Sequence, residues 1–211
     1  MARAATLPTA LLAAFALAAA AELVSVALDA ATGQLLAKPL LMPLLAAYVA
    51  ARGGPRLLVA ALLLGWGGDV FLLSSADGAF LAGMGCFAAG HVCYLALFGR
   101  RRTRVDVALG YGLVLAVTLA LLRPDLPAEL RVPVALYSLL LAAMACRASG
   151  LGPLAGAGGA LFLFSDTLIA AGVAAWPRPP AADLWIMLTY IAAQALLTAG
   201  VLKARTGPVH D

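Results

Sequence analysis

The chain has 211 residues, of which 64% are hydrophobic and 11% are charged, and its mean hydropathy is +1.01. Soluble domains carry about 25% charged residues, so this composition excludes an ordinary soluble protein and predicts a membrane protein. The net charge of +4 comes from basic residues scattered between apolar runs, without interleaved aromatic residues, and it does not predict nucleic-acid binding.

Eight apolar runs follow one another along the chain, separated by short linkers that contain Gly, Pro, Arg or Asp. Their length of about 20 residues and the absence of period-2 alternation predict membrane-spanning helices rather than barrel strands. We therefore expect an all-α polytopic membrane protein, organised as a single integral-membrane helical domain over residues 1–211. The predicted spans are Thr6–Leu28, Gln34–Ala51, Arg56–Ser74, Gly78–Phe98, Val105–Leu122, Leu130–Ser149, Gly152–Ala175 and Ala182–Leu202.

The first run also resembles a secretory signal peptide, because Arg3 precedes an apolar stretch and four alanines precede Glu22. The apolar run continues past that potential cleavage site to Leu28, which favours a retained helix. We therefore count it as the first span.

Lysine and arginine residues are distributed unequally between the two predicted sides of the membrane. One side has only Arg123, Arg131 and Arg178. The positive-inside rule therefore predicts that both termini are cytoplasmic, and the alanine-rich spans and arginine usage are typical of a bacterial inner membrane. The other, basic-rich side collects Arg3, Arg52, Arg56, Arg100, Arg101, Arg102, Arg104, Arg147, Lys203 and Arg205.

Four ionisable residues lie inside apolar runs, where a charged side chain costs about 3 kcal/mol on insertion scales and is usually functional. They are Glu22, Lys38 in LLAKPLLMPLL, Asp69 in LLLGWGGDVFLLS and Asp166 in LFLFSDTLIA. At a rise of about 1.5 Å per residue, all four fall in the non-cytoplasmic half of the bilayer. This coincidence predicts one shared intramembrane cavity.

Other polar residues reach similar or greater depths in the predicted spans. Tyr137 and Tyr190 lie near the level of the acids, and His91 and Gln194 lie nearer the midplane. His91 shares one helical face with Phe87 and Tyr94. Each of these residues also has a structural interpretation: the aspartates as hydrogen-bonded structural groups, Lys38 as an interfacial lysine, and His91 as a packing residue.

No metal or cofactor site is predicted. The only other histidine is His210, so three histidines cannot bind zinc in one site. The cysteines Cys86, Cys93 and Cys146 form no CxxC pair, and the sequence contains no GxSxG, HExxH, CxxCH or Walker motif.

The two halves of the chain show a weak internal symmetry. The third span has GDVFL where the seventh has SDTLI, and Phe87 and His91 are spaced as Tyr190 and Gln194 are. These similarities are compatible with two duplicated four-helix halves. Similar composition alone also explains them.

Six motifs in fixed order resemble the YhhN-like family of eight-helix membrane proteins, over nearly the whole chain. They are KPLLMPLL (Lys38 to Leu45), GDVFLL (Gly68 to Leu73), GMGCFAAGHVCY (Gly83 to Tyr94), a mid-span Tyr137, GALFLFSDTLIA (Gly159 to Ala170) and YIAAQALL (Tyr190 to Leu197).

This resemblance implies a lysoplasmalogenase, which hydrolyses the vinyl ether of a lysoplasmalogen to a fatty aldehyde and a glycerophospho-base without a cofactor. Asp69 and Asp166 match the positions of the family's catalytic pair, one acting as acid and the other as stabiliser and base, by analogy with glycoside hydrolysis. The expected partners are a lysophospholipid substrate and the bilayer, and the oligomeric state stays open. The implied substrate-binding residues are Lys38, which meets the phosphate, with Glu22, His91, Tyr94, Tyr137, Tyr190 and Gln194.

Two other functions remain open at this point. Acids near the midplane and two possible halves are compatible with a small proton-coupled transporter, although no Gly/Pro interruption recurs at corresponding places in both halves. A non-catalytic lipid-binding protein would use the same apolar spans without turnover.

Overall fold

The computed structural model describes residues 2–76, 78–99 and 103–206, so the basic residues 100–102 and His210 lie outside the described residues. The described part is α-helical and contains no strand, which confirms the predicted all-α class. A one-turn 3₁₀ helix, Ala128–Leu130, precedes the sixth helix. The α-helices are α1 Ala2–Ala27, α2 Ala31–Ala51, α3 Arg56–Leu72, α4 Ala79–Phe98, α5 Val105–Leu122, α6 Arg131–Ser149, α7 Pro153–Val173 and α8 Ala182–Thr206.

Seven of the eight described helices are long and apolar enough to cross a membrane, and α3 is the exception. It has 17 residues and ends at Leu72, two residues before the predicted boundary at Ser74. The Ser74 hydroxyl accepts a hydrogen bond from the Ala76 amide at 3.2 Å, and such a local bond competes with helix continuation. The third span thus begins at the predicted residue, Arg56, and ends two residues before its approximate predicted end.

The helices group into two compact units, residues 1–97 and residues 98–211. The N-terminal unit contains α1 to α4, except the last residue of α4, and the C-terminal unit contains α5 to α8. The division falls one residue before the end of α4, close to the boundary expected for two four-helix halves.

In the N-terminal unit, α2 packs on both α1 and α3, and glycines bring α3 and α4 close together. A Cβ atom on Gly83 would lie 3.2 Å from the carbonyl oxygen of Gly68 on α3. Small residues at such crossings allow two membrane helices to pack backbone against backbone.

In the C-terminal unit, α7 packs between α6 and α8. A Cβ atom on Gly159 would lie 2.8 Å from the Ala145 Cα atom of α6. On the opposite side, a Cβ atom on Gly200 of α8 would lie 2.6 Å from the backbone nitrogen of Ala155. These distances leave no room for a side chain, so glycine sets the separation of the three helices.

The start of α7 is encoded locally. Gly152 has φ of 124°, which side-chain-bearing residues rarely adopt, and Pro153 occupies the first helical turn, where its missing N–H costs nothing. This glycine–proline pair fixes the point at which α7 begins, and with it the level of Asp166 along the helix.

Candidate active site

Asp166 is held by a tyrosine from the neighbouring helix. The hydroxyl of Tyr137, on α6, donates a hydrogen bond to the Oδ2 atom of Asp166, on α7. Both residues are half-buried. A hydrogen bond donated to a carboxylate stabilises its charge. The structure thus brings together two of the residues that the sequence singled out.

The turn of α7 that carries Asp166 also contacts α8. The ring of Phe162, one turn before Asp166, packs edge-to-face against Tyr190, with ring centroids 5.5 Å apart and an interplanar angle of 87°. The hydroxyl of the adjacent Ser165 donates a hydrogen bond to the Ile186 carbonyl oxygen at 3.0 Å. These two contacts fix the rotation of α7 about its axis, and therefore the direction in which Asp166 projects.

Tyr190 and Gln194 are one turn apart on α8, and both are buried. Tyr190 contacts α7 at Phe162, which lies one helical turn before Asp166. The structure therefore places Tyr190 beside the acid-bearing segment of α7.

Asp69 is 3% exposed and lies on α3 in the N-terminal unit. A Cβ atom on the preceding Gly68 would lie 2.5 Å from the Cε2 atom of Phe87 on α4. The Phe87 ring therefore lies directly against the α3 backbone at the residue before Asp69. Only glycine at position 68 leaves this space.

The predicted polar face of α4 is buried. His91 and Tyr94 are each 1% exposed, and they follow Phe87 by one and two turns on the same face. This face lies in the same unit as Asp69.

Glu22 and Lys38 form a second ionisable cluster in the N-terminal unit. Glu22, on α1, is fully buried, and Lys38, on α2, is half-buried and interacts electrostatically with it. Within the described part of the chain, neither carboxyl oxygen of Glu22 has a hydrogen-bond partner. The close packing of Gly33 against Ser25 holds α1 and α2 together nearby.

Sequence reasoning missed two contributors to the Asp166 environment, Phe162 and Ser165. Phe162 precedes Asp166 by four residues, and this spacing places both on one helical face. That spacing was the available signal for Phe162. For Ser165, the partner is a backbone carbonyl, which no side-chain pattern reveals.

The prediction that Glu22, Lys38, Asp69 and Asp166 share one cavity stays a prediction.

Among the side chains that the structure describes, no group of three or more His, Cys, Asp or Glu residues could hold a metal ion.

The chain matches the model of the YhhN family over residues 33–201. It is 38% identical to lysoplasmalogenase TMEM86B of Homo sapiens over 152 residues, which are 72% of this chain and 66% of that protein. Lysoplasmalogenase TMEM86B of Rattus norvegicus is 37% identical over 179 residues, or 79% of this chain and 71% of that protein. Lysoplasmalogenase TMEM86A of Bos taurus is 33% identical over 155 residues, or 68% of this chain and 64% of that protein.

The chain thus spans about two thirds of the length of the curated relatives that it matches. No solved structure matches it. The resemblance predicted from six ordered motifs is confirmed by the family match, which covers most of the chain. The chain belongs to the YhhN family.

Proposed function

We propose that this protein is a lysoplasmalogenase, a membrane hydrolase that converts a lysoplasmalogen to a fatty aldehyde and a glycerophospho-base. Curated relatives with that activity in their names support the proposal. The observation that carries it is the hydrogen bond from Tyr137 to Asp166, which orients a carboxylate inside an apolar helix.

Vinyl ether hydrolysis needs an acid, an anion and a water molecule. The acid protonates the β-carbon of the double bond and leaves an oxocarbenium ion, which a nearby anion stabilises. Water then adds to this cation and loses a proton, giving a hemiacetal. The hemiacetal collapses to the aldehyde, and the glycerol oxygen leaves as a hydroxyl group.

We assign the anion to Asp166 and the proton donor to Asp69. The hydrogen bond donated by Tyr137 favours this assignment, because it stabilises the carboxylate form of Asp166. The same carboxylate can take the proton of the attacking water. This division of labour resembles the paired carboxyl groups of glycosidases.

The remaining predicted residues bind and orient the substrate in this proposal. Lys38 meets the lipid phosphate, and its half-buried position near Glu22 leaves it partly accessible. Orientation of the attacking water and of the substrate is assigned to Tyr94, His91, Tyr190 and Gln194, all of which are buried.

The protein is an integral membrane protein, and we propose that it lies in a bacterial inner membrane with both termini in the cytoplasm. The unequal distribution of lysine and arginine supports this orientation. The orientation can be tested by fusing to the C-terminus a reporter protein that is active only in the cytoplasm. If the reporter were inactive on a full-length, membrane-inserted protein, the proposed cytoplasmic C-terminus would be contradicted.

The function is tested by aldehyde release from lysoplasmenylethanolamine and lysoplasmenylcholine by the purified, detergent-solubilised protein. Wild type is compared with Asp69→Asn and Asp166→Asn, and the matching ester lysolipids serve as control substrates. We expect wild type to release aldehyde and both variants to lose this activity. Folded wild-type protein that releases no aldehyde from either vinyl ether would refute the proposal.

A further inference from the structure

A groove runs between α5 and α7 on the C-terminal unit. Its volume is about 450 Å³, within the range of small-molecule sites. We call it the α5/α7 groove. It is lined by Val107, Gly110, Tyr111, Val114, Thr118, Ala160, Leu163, Phe164 and Thr167.

The lining of the α5/α7 groove is suited to hydrocarbon. Val114 is 48% exposed and Phe164 is 50% exposed. The hydroxyl of Thr167 donates a hydrogen bond to the Leu163 carbonyl oxygen at 2.7 Å, so its polar atom already has a partner within its own helix. Both helices have the length and composition of membrane spans, so the groove lies within the membrane-spanning part of the chain.

The groove begins at the level of the proposed anion. Thr167, which lines it, directly follows Asp166, and Ala160 lies two turns nearer the start of α7. On α5, the lining residues extend from Val107 to Thr118, a distance of about 16 Å along the helix. The groove is therefore elongated along the helix axes, and one of its ends lies at the level of Asp166.

We propose that the α5/α7 groove binds the hydrocarbon chain of the single-chain lipid substrate. The chain lies along α5 and α7, and its ether end is held at the level of Asp166. The inference rests on the proposed function for the identity of the lipid, but binding can be measured without turnover. The surrounding lipid is as apolar as the groove, so the hydrophobic effect does not favour binding of the chain. Binding would come instead from dispersion contacts between the chain and the groove walls.

Two glycines of α5 provide a matched pair of variants. Both glycines are exposed, but Gly110 lines the groove and Gly112 does not. A Cβ atom at either position would meet no other atom within 4 Å, so neither site is blocked where the new side chain begins. Gly110→Leu fills the groove, and Gly112→Leu adds the same side chain elsewhere. Ala160→Leu fills the groove from the α7 wall.

The binding test uses a non-hydrolysable hexadecyl ether lysolipid with a diazirine near the end of its chain. After illumination, peptides of α5 and α7 from wild type should carry the label, and excess unlabelled hexadecyl lysolipid should compete it away. Loss of roughly ten carbon–carbon contacts should lower labelling about tenfold in Gly110→Leu and in Ala160→Leu. Gly112→Leu should be labelled like wild type.

Equal labelling of the wild type and of both groove-filling variants would overturn the proposal, as would wild-type label outside α5 and α7. A turnover assay adds a second readout, because vinyl ether lysolipids with octyl and hexadecyl chains can be compared. In Gly110→Leu, the ratio of the hexadecyl KM to the octyl KM should rise about tenfold, and in Gly112→Leu it should not change. If the wild type is labelled in the groove but releases no aldehyde, the proposed function fails while the lipid site stands.

Discussion

The aspartate-bearing helix pairs of the two units, α3 with α4 and α7 with α8, cross in the same register but use different residues. Two pairs of positions are equivalent. On the first helix of each pair, Gly68 corresponds to Ser165, because each directly precedes the aspartate. On the second helix, Gly83 corresponds to Ile186, because each lies four residues before the aromatic residue, Phe87 or Tyr190. In the N-terminal unit, a Cβ atom on Gly83 would lie 3.2 Å from the Gly68 carbonyl oxygen. In the C-terminal unit, the corresponding Ser165 hydroxyl donates a hydrogen bond to the Ile186 carbonyl oxygen at 3.0 Å.

A second crossing point shows the same relation two turns away, with the glycine moved to the other helix. In the N-terminal unit, a Cβ atom on Gly90 of α4 would lie 3.2 Å from the carbonyl oxygen of Ala61. In the C-terminal unit, the equivalent positions are Ala193 and Gly158, and a Cβ atom on Gly158 would lie 2.9 Å from the Ala193 carbonyl oxygen. The register is thus the same, while the glycine lies on the second helix of the pair in the N-terminal unit and on the first helix in the C-terminal unit. This correspondence supports the predicted duplication of a four-helix half.

The aromatic ring next to each aspartate differs between the units. In the N-terminal unit, Phe87 lies against the bare backbone of Gly68. In the C-terminal unit, Ser165 has a side chain at the equivalent position, and the Tyr190 ring packs on Phe162 instead. The two carboxyl groups therefore occupy unlike surroundings, as a donor and an anion require.

Neutralising either aspartate should have the largest effect. We expect Asp69→Asn and Asp166→Asn each to lower kcat by about 10²- to 10⁴-fold, the usual contribution of a positioned acid or base. Aldehyde release under saturating substrate measures this. If only one of the two variants lost activity, the equivalence of the two units would be structural and not chemical.

Removing the Tyr137 hydroxyl should have the next largest effect. Tyr137→Phe removes the hydrogen bond to Asp166, and a hydrogen bond to a charged group contributes about 1.5–3 kcal/mol, so kcat/KM should fall roughly 10- to 100-fold. Tyr48→Phe is the matched control, because the Tyr48 hydroxyl on α2 accepts a hydrogen bond at 3.4 Å from Arg52, the residue after the helix, and has no described hydrogen bond to an aspartate. Equal activity of the two variants would contradict a role for Tyr137 in orienting Asp166.

The helices were predictable because apolar runs of spanning length have few alternatives in a bilayer. Asp69 and Asp166 stood out as acids inside those runs, and the pairing of Tyr137 with Asp166 agrees with their predicted similar depth. The register in which the helices cross was not predictable, because the glycine at the crossing point is on the second helix of one pair (Gly90 on α4) and on the first helix of the other (Gly158 on α7). Backbone contacts of this kind leave no periodic side-chain signal.

Adding one methyl group beside Asp69 tests the glycine contact of the N-terminal unit. We expect Gly68→Ala to lower the free energy of unfolding by about 1–3 kcal/mol, because its Cβ atom would lie 2.5 Å from the Phe87 ring. Gly67→Ala is the control, since its Cβ atom would meet only Cys86, at ordinary distances of 3.5 Å from Sγ and 3.8 Å from Cβ. Denaturation of both variants in mixed micelles measures the difference. A Gly68→Ala protein as stable as Gly67→Ala would show that the ring moves freely.

The smallest expected effect concerns the equivalent position of the C-terminal unit. Ser165→Ala removes one hydrogen bond between neutral groups, which contributes about 0.5–1.5 kcal/mol, and we expect a loss at the lower end. The reason is that the Ile186 carbonyl oxygen also accepts a hydrogen bond from the Thr189 hydroxyl at 3.3 Å, so it keeps a partner. Ser25→Ala is the control for a hydroxyl that packs against a neighbouring helix without bonding to it, because Ser25 lies close to Gly33 of α2 while its hydroxyl donates a hydrogen bond to the Ala21 carbonyl oxygen of α1. If Ser165→Ala proved as harmless as Ser25→Ala in the same unfolding assay, close packing would hold α7 against α8 without this bond, as it does between α3 and α4.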